Sequence, residues 1–270
     1  MIDPVDLLHD RAAAADPSSA AELLRDLDRG IREYFGLRLA SIQPRFEQRL
    51  STVSDRNDAT WRYSLNDAVK EGRPATFVDE KALRIYAVNK LETRCRYLYL
   101  LVMDNNPLSS RVREVLRQGE VRVCSAGGGP GFDHLALLMA TNFLEEVQLN
   151  GGDVLDPVEG GPVETGKAIK TQVFDLYNDD WLPIMEALTD LSNGNSSGSL
   201  ATMHYADLRI PLDAAENGDL RDAVPDIDIF CFQFVLHENS SFILDDENGG
   251  NLGGDLDRGM GKTAISGAAG

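Results

Sequence analysis

The stretch VRVCSAGGGPGFDHLALLMATNFL, Val121–Leu144, places four glycines and a proline between two apolar segments. The first segment is short and rich in valine, which predicts a β-strand. The second has the length and periodicity of an amphipathic helix. Glycines between a strand and a helix let the backbone approach a ligand, and the helix N-terminus offers free N–H groups. The stretch therefore predicts a nucleotide-type binding turn, with a tight turn that holds no ligand as the alternative.

Segments downstream of this unit alternate between strand and helix patterns. Strands are predicted in AIKTQVFDLY (168–177), LATMHYADLRIPL (200–212) and DIDIFCFQFVLHE (226–238), and a helix from Trp181 to Leu191. Alternation of this kind is typical of a parallel sheet, and the continuous apolar character of the last segment suits a strand covered on both faces. Residues 241–270 are acidic and rich in glycine, so we expect a disordered tail that adds no strand.

Upstream of Glu120 the chain has only helical patterns. Apolar residues recur every three or four positions from Pro17 to Glu47 and from Glu80 to Met103, and a shorter helix ends near Gly119. The predicted organisation is therefore a helical N-terminal region (1–118), an α/β ligand-binding domain (119–240) and the tail.

Two common phosphate-binding motifs do not fit the glycine turn. A P-loop needs a lysine and a serine or threonine directly after its last glycine, and neither follows Gly131. A dinucleotide fingerprint needs a third glycine or alanine at the position of Phe132. The pattern that remains is G-x-G-x-G, formed by Gly127, Gly129 and Gly131.

The segment VCSAGGGPGFD (123–133) resembles the first motif of class I S-adenosylmethionine-dependent methyltransferases. The resemblance implies a Rossmann-like α/β fold and S-adenosylmethionine as cofactor. It also implies that the glycines lie at the amino-acid end of the cofactor, that one aspartate binds the ribose hydroxyls and that a second precedes the adenine contact. The residues so assigned are Gly127, Gly128, Gly129, Gly131, Asp175 and Asp207. Asp175 has a second interpretation, as a cap for the segment that follows it.

The tripled glycine followed by Pro-Gly, together with FVLHE (234–238), is similar to fungal-type ribosomal RNA uridine-N3 methyltransferases. This closer resemblance implies an RNA base as the substrate. We assign no catalytic residue, because methyl transfer depends mainly on alignment of the donor and the nucleophile. His237 and Glu238 lie where an acid or base could act, and Arg94, Arg96, Tyr97 and Tyr99 could contact RNA or form an ordinary helix face.

Two departures from the family pattern bear on activity. Ser125 stands where the family usually has an acidic residue. The sequence predicts four strands, whereas the family's sheet has seven, so the sheet is expected to be incomplete or to be completed by a partner chain. The alternative function is accordingly a truncated, non-catalytic module that binds a cofactor or a partner.

Acidic residues are concentrated in the second part of the chain. Residues 1–120 contain 19 Lys and Arg and 19 Asp and Glu, whereas residues 121–270 contain 7 and 25, which accounts for the net charge of −18. An acidic surface repels phosphates, so any RNA contact is expected in the first part. The three cysteines are scattered, which predicts buried thiols rather than a disulfide framework or metal site. With no apolar run long enough to span a membrane, the expected location is cytoplasmic or nuclear.

Overall fold

The computed structural model describes residues 3–51, 80–149, 167–192 and 198–233, and the backbone of one strand at 263–267. Its strands are β1 (Glu120–Ala126), β2 (Ala168–Asp175), β3 (Leu200–Tyr205), β4 (Ile229–Gln233) and β5 (Thr263–Gly267). Its α-helices are α1 (Pro4–Ala14), α2 (Pro17–Arg49), α3 (Glu80–Met103), α4 (Pro107–Leu116), α5 (Phe132–Leu149), α6 (Asn178–Ser192) and α7 (Gly218–Ala223). The prediction of a Rossmann-like α/β fold that follows a helical N-terminal part is confirmed.

All pairs in the sheet are parallel, and the strand order is β3-β2-β1-β4-β5. The chain builds outward from β1 through β2 to β3 and then returns to place β4 on the other side of β1. This reversal makes the carboxyl ends of β1 and β4 a topological switch point. Open parallel sheets bind ligands in the crevice at such a point. The glycine turn begins directly after β1, so it lies at this crevice.

The fifth strand corrects the expectation that the tail adds no strand and that the sheet stops at four. Thr263–Gly267 pairs with β4 over five residues, from Ile229 with Thr263 to Gln233 with Gly267. Pairing along the exposed edge of β4 satisfies backbone groups, which can hold a short segment that composition alone does not mark as a strand. The rest of the tail, the predicted extension of β4 to Glu238 and residues 150–166 lie outside the described residues.

Helices before β1 pack on the same core as the sheet. One apolar cluster contains Val5 of α1, Tyr99 of α3, Leu135 of α5 and Ile229 of β4. A second cluster, which includes Cys124 and Phe230, covers the opposite face of the sheet. The two-sided burial explains why β4 is apolar from Ile229 to Phe232.

Polar contacts fix α2 and α3 relative to α5, the helix that follows the glycine turn. The guanidinium of Arg38 donates to Glu146 Oε1 at 2.6 Å, and the buried hydroxyl of Tyr99 donates to the carbonyl of Ile31 at 3.1 Å. The N-terminal helices thus support the helix on which the candidate site is built. Across the described ranges, the structure has no helix with both the length and the apolar character needed to cross a bilayer.

Candidate functional site

Three glycines of the turn have left-handed backbone conformations. The φ angles are +64° at Gly127, +53° at Gly129 and +81° at Gly131. For a residue with a side chain, this left-handed backbone conformation costs roughly 1–2 kcal/mol of conformational free energy. The turn is closed on the sheet by the N–H of Gly127, which donates to the carbonyl of Phe174 on β2 at 2.6 Å. The sequence therefore needs glycine at these positions to form a turn of this shape.

The remaining contacts of the turn show which side of it is open. A Cβ atom at Gly128 would lie 2.0 Å from Ser125 Oγ, and one at Gly131 would lie 3.1 Å from Met185 Cγ. These two glycines allow the turn to press against β1 and α6. Among the residues that the structure describes, a Cβ atom at Gly129 would have a single neighbour within 4 Å, Trp181 Cε2 at 3.9 Å. Gly129 is thus the position where the turn faces open space that a ligand could occupy.

We expect Gly128→Ala to lower the free energy of unfolding by roughly 1–3 kcal/mol, because the new methyl group forces Ser125 to rotate. Rotation breaks the hydrogen bond from Ser125 Oγ to Asp133. The double variant Ser125→Ala/Gly128→Ala recovers part of the loss, since the hydroxyl in the way is gone. Urea denaturation of the two single variants and the double variant measures the coupling. Strictly additive losses would contradict the close approach of Gly128 to Ser125.

Asp175, at the end of β2, is brought to the glycine turn. Its Oδ2 accepts the N–H of Gly129 at 3.1 Å, and its Oδ1 accepts the N–H of Tyr177 at 2.9 Å. The second bond is the capping contact expected as the alternative role for Asp175. The first ties the carboxylate to the ligand-facing glycine. Carboxylate oxygens have further lone pairs, so these bonds leave acceptor capacity for ligand hydroxyls.

Asp207 follows β3 and is held by its own loop. Its Oδ1 accepts Nε of Arg209 at 2.7 Å, and its Oδ2 accepts Nη2 at 2.6 Å. This ion pair lowers the pKa of the Asp207 carboxyl. The backbone N–H of Asp207 donates to Oδ1 of the buried Asn217 at 2.9 Å. The structure therefore joins Asp175 to the glycine turn and pairs Asp207 with Arg209.

Asp133, which the sequence analysis did not single out, is a buried carboxylate at the same crevice. It is 2 % exposed in the first turn of α5. Ser125 Oγ donates to one of its oxygens at 2.6 Å and Gln233 Nε2 donates to the other at 2.5 Å. Burial raises the pKa of Asp133 to about 6, against the lowering effects of these bonds and of the charge on Arg94. The sequence contained one signal for this residue: an acidic side chain two positions after Gly131, the last glycine of the turn.

The candidate RNA-contacting side chains of α3 have structural partners. Tyr99 is fully buried and therefore cannot stack on a base, which corrects that interpretation. The Arg94 guanidinium donates to the hydroxyl of Tyr86 at 3.2 Å, and Arg96 forms an ion pair with Glu92. Tyr97 is half exposed. Only part of this set remains available at the surface.

Several other candidates are part of the core or lie outside the described residues. Trp181, the first residue of the helix predicted after β2, is 3 % exposed and packs against Tyr86. Cys95, Cys124 and Cys231 are free, buried thiols. His237 and Glu238 fall in the undescribed part of the chain.

Comparison with protein-family models, with curated proteins and with solved structures finds no match to this chain. The function is therefore argued from the site itself.

Proposed function

We propose that the chain binds S-adenosylmethionine at the glycine turn and acts as a class I methyltransferase. The observation that supports this most is the turn itself: left-handed glycines at the β1/β4 switch point, with Asp175 bonded to the ligand-facing Gly129. A carboxylate beside such a turn can accept the two hydroxyl protons of a ribose.

The charges around the turn favour a nucleoside ligand without phosphates. Helix N-termini attract anions, and phosphate sites use this together with a lysine or arginine. Here the N-terminal turn of α5 carries the buried Asp133, and the Asp175 carboxylate accepts the N–H of Gly129. Two carboxylates repel a pyrophosphate and attract a cation. S-adenosylmethionine combines a ribose, no phosphate and a positively charged sulfonium.

The residues present would act by binding and orientation. The glycines would allow close approach of the ligand, and Asp175 would fix the ribose. The bound cofactor supplies a methyl group activated by its sulfonium. Transfer then requires that the substrate nucleophile be aligned with that methyl group, and alignment by itself provides a large share of the rate.

The proposed substrate class is RNA, specifically a ribosomal RNA base, and it rests on the resemblance of the tripled glycine and FVLHE. If RNA binds, the charge distribution favours contacts on the first 120 residues, which are neutral overall. Incubation of the chain with labelled S-adenosylmethionine and ribosomal RNA tests the substrate. Transfer of label to RNA supports the enzyme, whereas cofactor binding without transfer to RNA favours the alternative, a non-catalytic binding module.

We expect S-adenosylhomocysteine to raise the melting temperature of the protein and ATP and NAD to leave it unchanged. A ligand present at 100 times its Kd stabilises the folded state by about 2.7 kcal/mol. For a chain of this length that corresponds to a shift of roughly 5 °C or more. Thermal unfolding with each ligand at the same concentration provides the measurement. Stabilisation by ATP or NAD in preference to S-adenosylhomocysteine would contradict the proposed ligand class.

A further inference from the structure

A groove with a volume of about 820 Å³ lies between α2 and α3, in the helical part of the molecule. Its apolar lining includes Leu24, Leu27 and Ile31 of α2 and Leu100 and Met103 of α3. None of the described residues that line it belongs to the glycine turn or to a strand. The groove is therefore a second feature of the molecule, apart from the candidate cofactor site.

Both walls of the groove have the apolar spacing of a helix-packing surface. Leu24, Leu27 and Ile31 recur at intervals of three and four residues, and Tyr97 and Leu100 are three residues apart. Side chains at these intervals lie along one side of a helix. Leu24 is 38 % exposed and Tyr97 is 52 % exposed, so the apolar stripe of each wall continues to the surface. A surface of this kind fits the side chains of a further helix.

Two exposed ion pairs line the same groove. Asp28 pairs with Arg32 on α2 at 2.9 Å, and Glu92 pairs with Arg96 on α3 at 2.6 Å. All four side chains are between 45 % and 61 % exposed. Exposed pairs between residues four apart on one helix contribute little to stability. These charges can therefore exchange their partners for opposite charges on another molecule at little cost.

The charge of the groove indicates which kind of molecule it fits. The groove lies within residues 1–120, which contain equal numbers of basic and acidic residues, whereas residues 121–270 account for the net charge of −18. A large net charge of one sign keeps copies of a protein apart, so two copies approach most readily through a neutral surface. A nucleic acid would meet the carboxylates of Asp28, Glu92 and Asp104 in this groove. A second copy presents the same mixture of acids and arginines, and opposite signs can meet across a two-fold axis.

We propose that the α2–α3 groove is the contact surface of a homodimer, in which a helix of each copy packs against the groove of the other. The contact covers the exposed surfaces of Leu24 and Tyr97 in both copies, and the acids at the groove of one copy pair with the arginines of the other. The proposal does not depend on the cofactor, because it uses only residues upstream of β1.

Sedimentation equilibrium of the full chain tests the dimer. We expect the mass of two chains at about 100 µM and dissociation on dilution towards about 1 µM. Leu24→Asp should raise the dimer dissociation constant roughly tenfold or more, because it places a charge in the apolar contact. Leu37→Asp is the matched control, since Leu37 is an exposed leucine of the same helix that is not part of the groove lining. It should leave the constant unchanged, and circular dichroism checks that both variants are folded.

Exchange of the groove charges provides a second test. Arg32→Glu/Arg96→Glu leaves only acids in the two pairs, and Asp28→Arg/Glu92→Arg leaves only arginines. Each variant alone should be monomeric, because two identical copies then repel each other at the groove. An equimolar mixture should form a heterodimer, because opposite charges meet again. An effect of net charge alone predicts a different result: the arginine variant, which is less negative overall, would associate more strongly than the wild type.

Each outcome decides for or against the groove. A wild-type chain that stays monomeric at every concentration overturns the proposal. A dimer that Leu24→Asp and Leu37→Asp weaken equally, or a mixture of the two charge variants that stays monomeric, does the same. Selective loss with Leu24→Asp, together with recovery of the dimer in the mixture, supports it. These measurements contain no cofactor, so the proposed function stands or falls separately.

Discussion

Gly129→Arg is expected to weaken binding of S-adenosylhomocysteine roughly a hundredfold or more, a change of about 2.7 kcal/mol in binding free energy. A Cβ atom at Gly129 would lie 3.9 Å from Trp181 Cε2, which bounds the open space in front of this glycine. The backbone N–H of Gly129 donates to Asp175. An arginine side chain would enter that space and pair with the Asp175 carboxylate. It would therefore occupy the ligand's place and neutralise the group proposed to hold the ribose. Isothermal titration calorimetry measures the loss.

Gly36→Arg is the matched control for this variant. Gly36 is exposed on α2, and a Cβ atom there would meet nothing within 4 Å. Both variants add one positive charge, so a general electrostatic effect would appear in both. Arginine at the left-handed position 129 also costs roughly 1–2 kcal/mol of stability, so circular dichroism must show that the variant is folded. Tight binding by a folded Gly129→Arg protein would place the ligand elsewhere.

Arg113→Met is expected to lower the free energy of unfolding by roughly 3–5 kcal/mol, the cost of removing one partner from a buried charge network. Arg113 of α4 has no exposed surface, and its Nε donates to the buried Asp3 at 3.1 Å. Its Nη1 donates to the carbonyls of Val102 and Asp104 at 2.7 and 2.8 Å. Methionine donates to none of these acceptors, so the Asp3 carboxylate loses the donor on its Oδ2 and the two carbonyls lose the Arg113 donor. Urea denaturation gives the change.

Arg111→Met provides the comparison on the same helix. Arg111 is more than half exposed and pairs with Glu114 one turn away, so its loss should cost about 0.5 kcal/mol or less. The pair of variants separates a buried network from a surface ion pair of similar composition. Equal losses in the two variants would contradict the role of Arg113 as the link between the start of α1 and the end of α3.

The sequence predicted those elements whose pattern is strong and local. Strand β1, helix α5 and the glycine turn between them are visible in a single stretch, because apolar spacing and glycine content report directly on backbone geometry. Helix α1 was missed, although Asp3 followed by Pro4 is a typical helix start: the Asp3 side chain accepts the N–H groups of Val5 and Asp6. Strand β5 was missed because its pairing to β4 depends on an edge that only the folded sheet presents.

Prediction of the site depended on how far apart its residues lie in sequence. The left-handed glycines could be found from their spacing alone, and Asp175 from its place at the end of a strand. The hydrogen bond between Asp133 and Gln233 joins residues that are 100 positions apart, so no local pattern indicates it. The partner of Asp207 was equally hidden, although Arg209 is only two residues away, because a loop's conformation decides whether such neighbours pair.

The most direct test of the account is an NMR titration of the protein labelled with ¹⁵N at its 24 glycines, with S-adenosylhomocysteine as the ligand. Gly127, Gly128, Gly129 and Gly131 form the turn that the account places beside the ligand, so their backbone N–H signals report on binding there. It predicts that their signals move together as the ligand saturates the protein, while the signals of Gly36 and Gly119 stay in place. Saturable binding that leaves the four turn signals unmoved, or no binding by the folded protein, would contradict it.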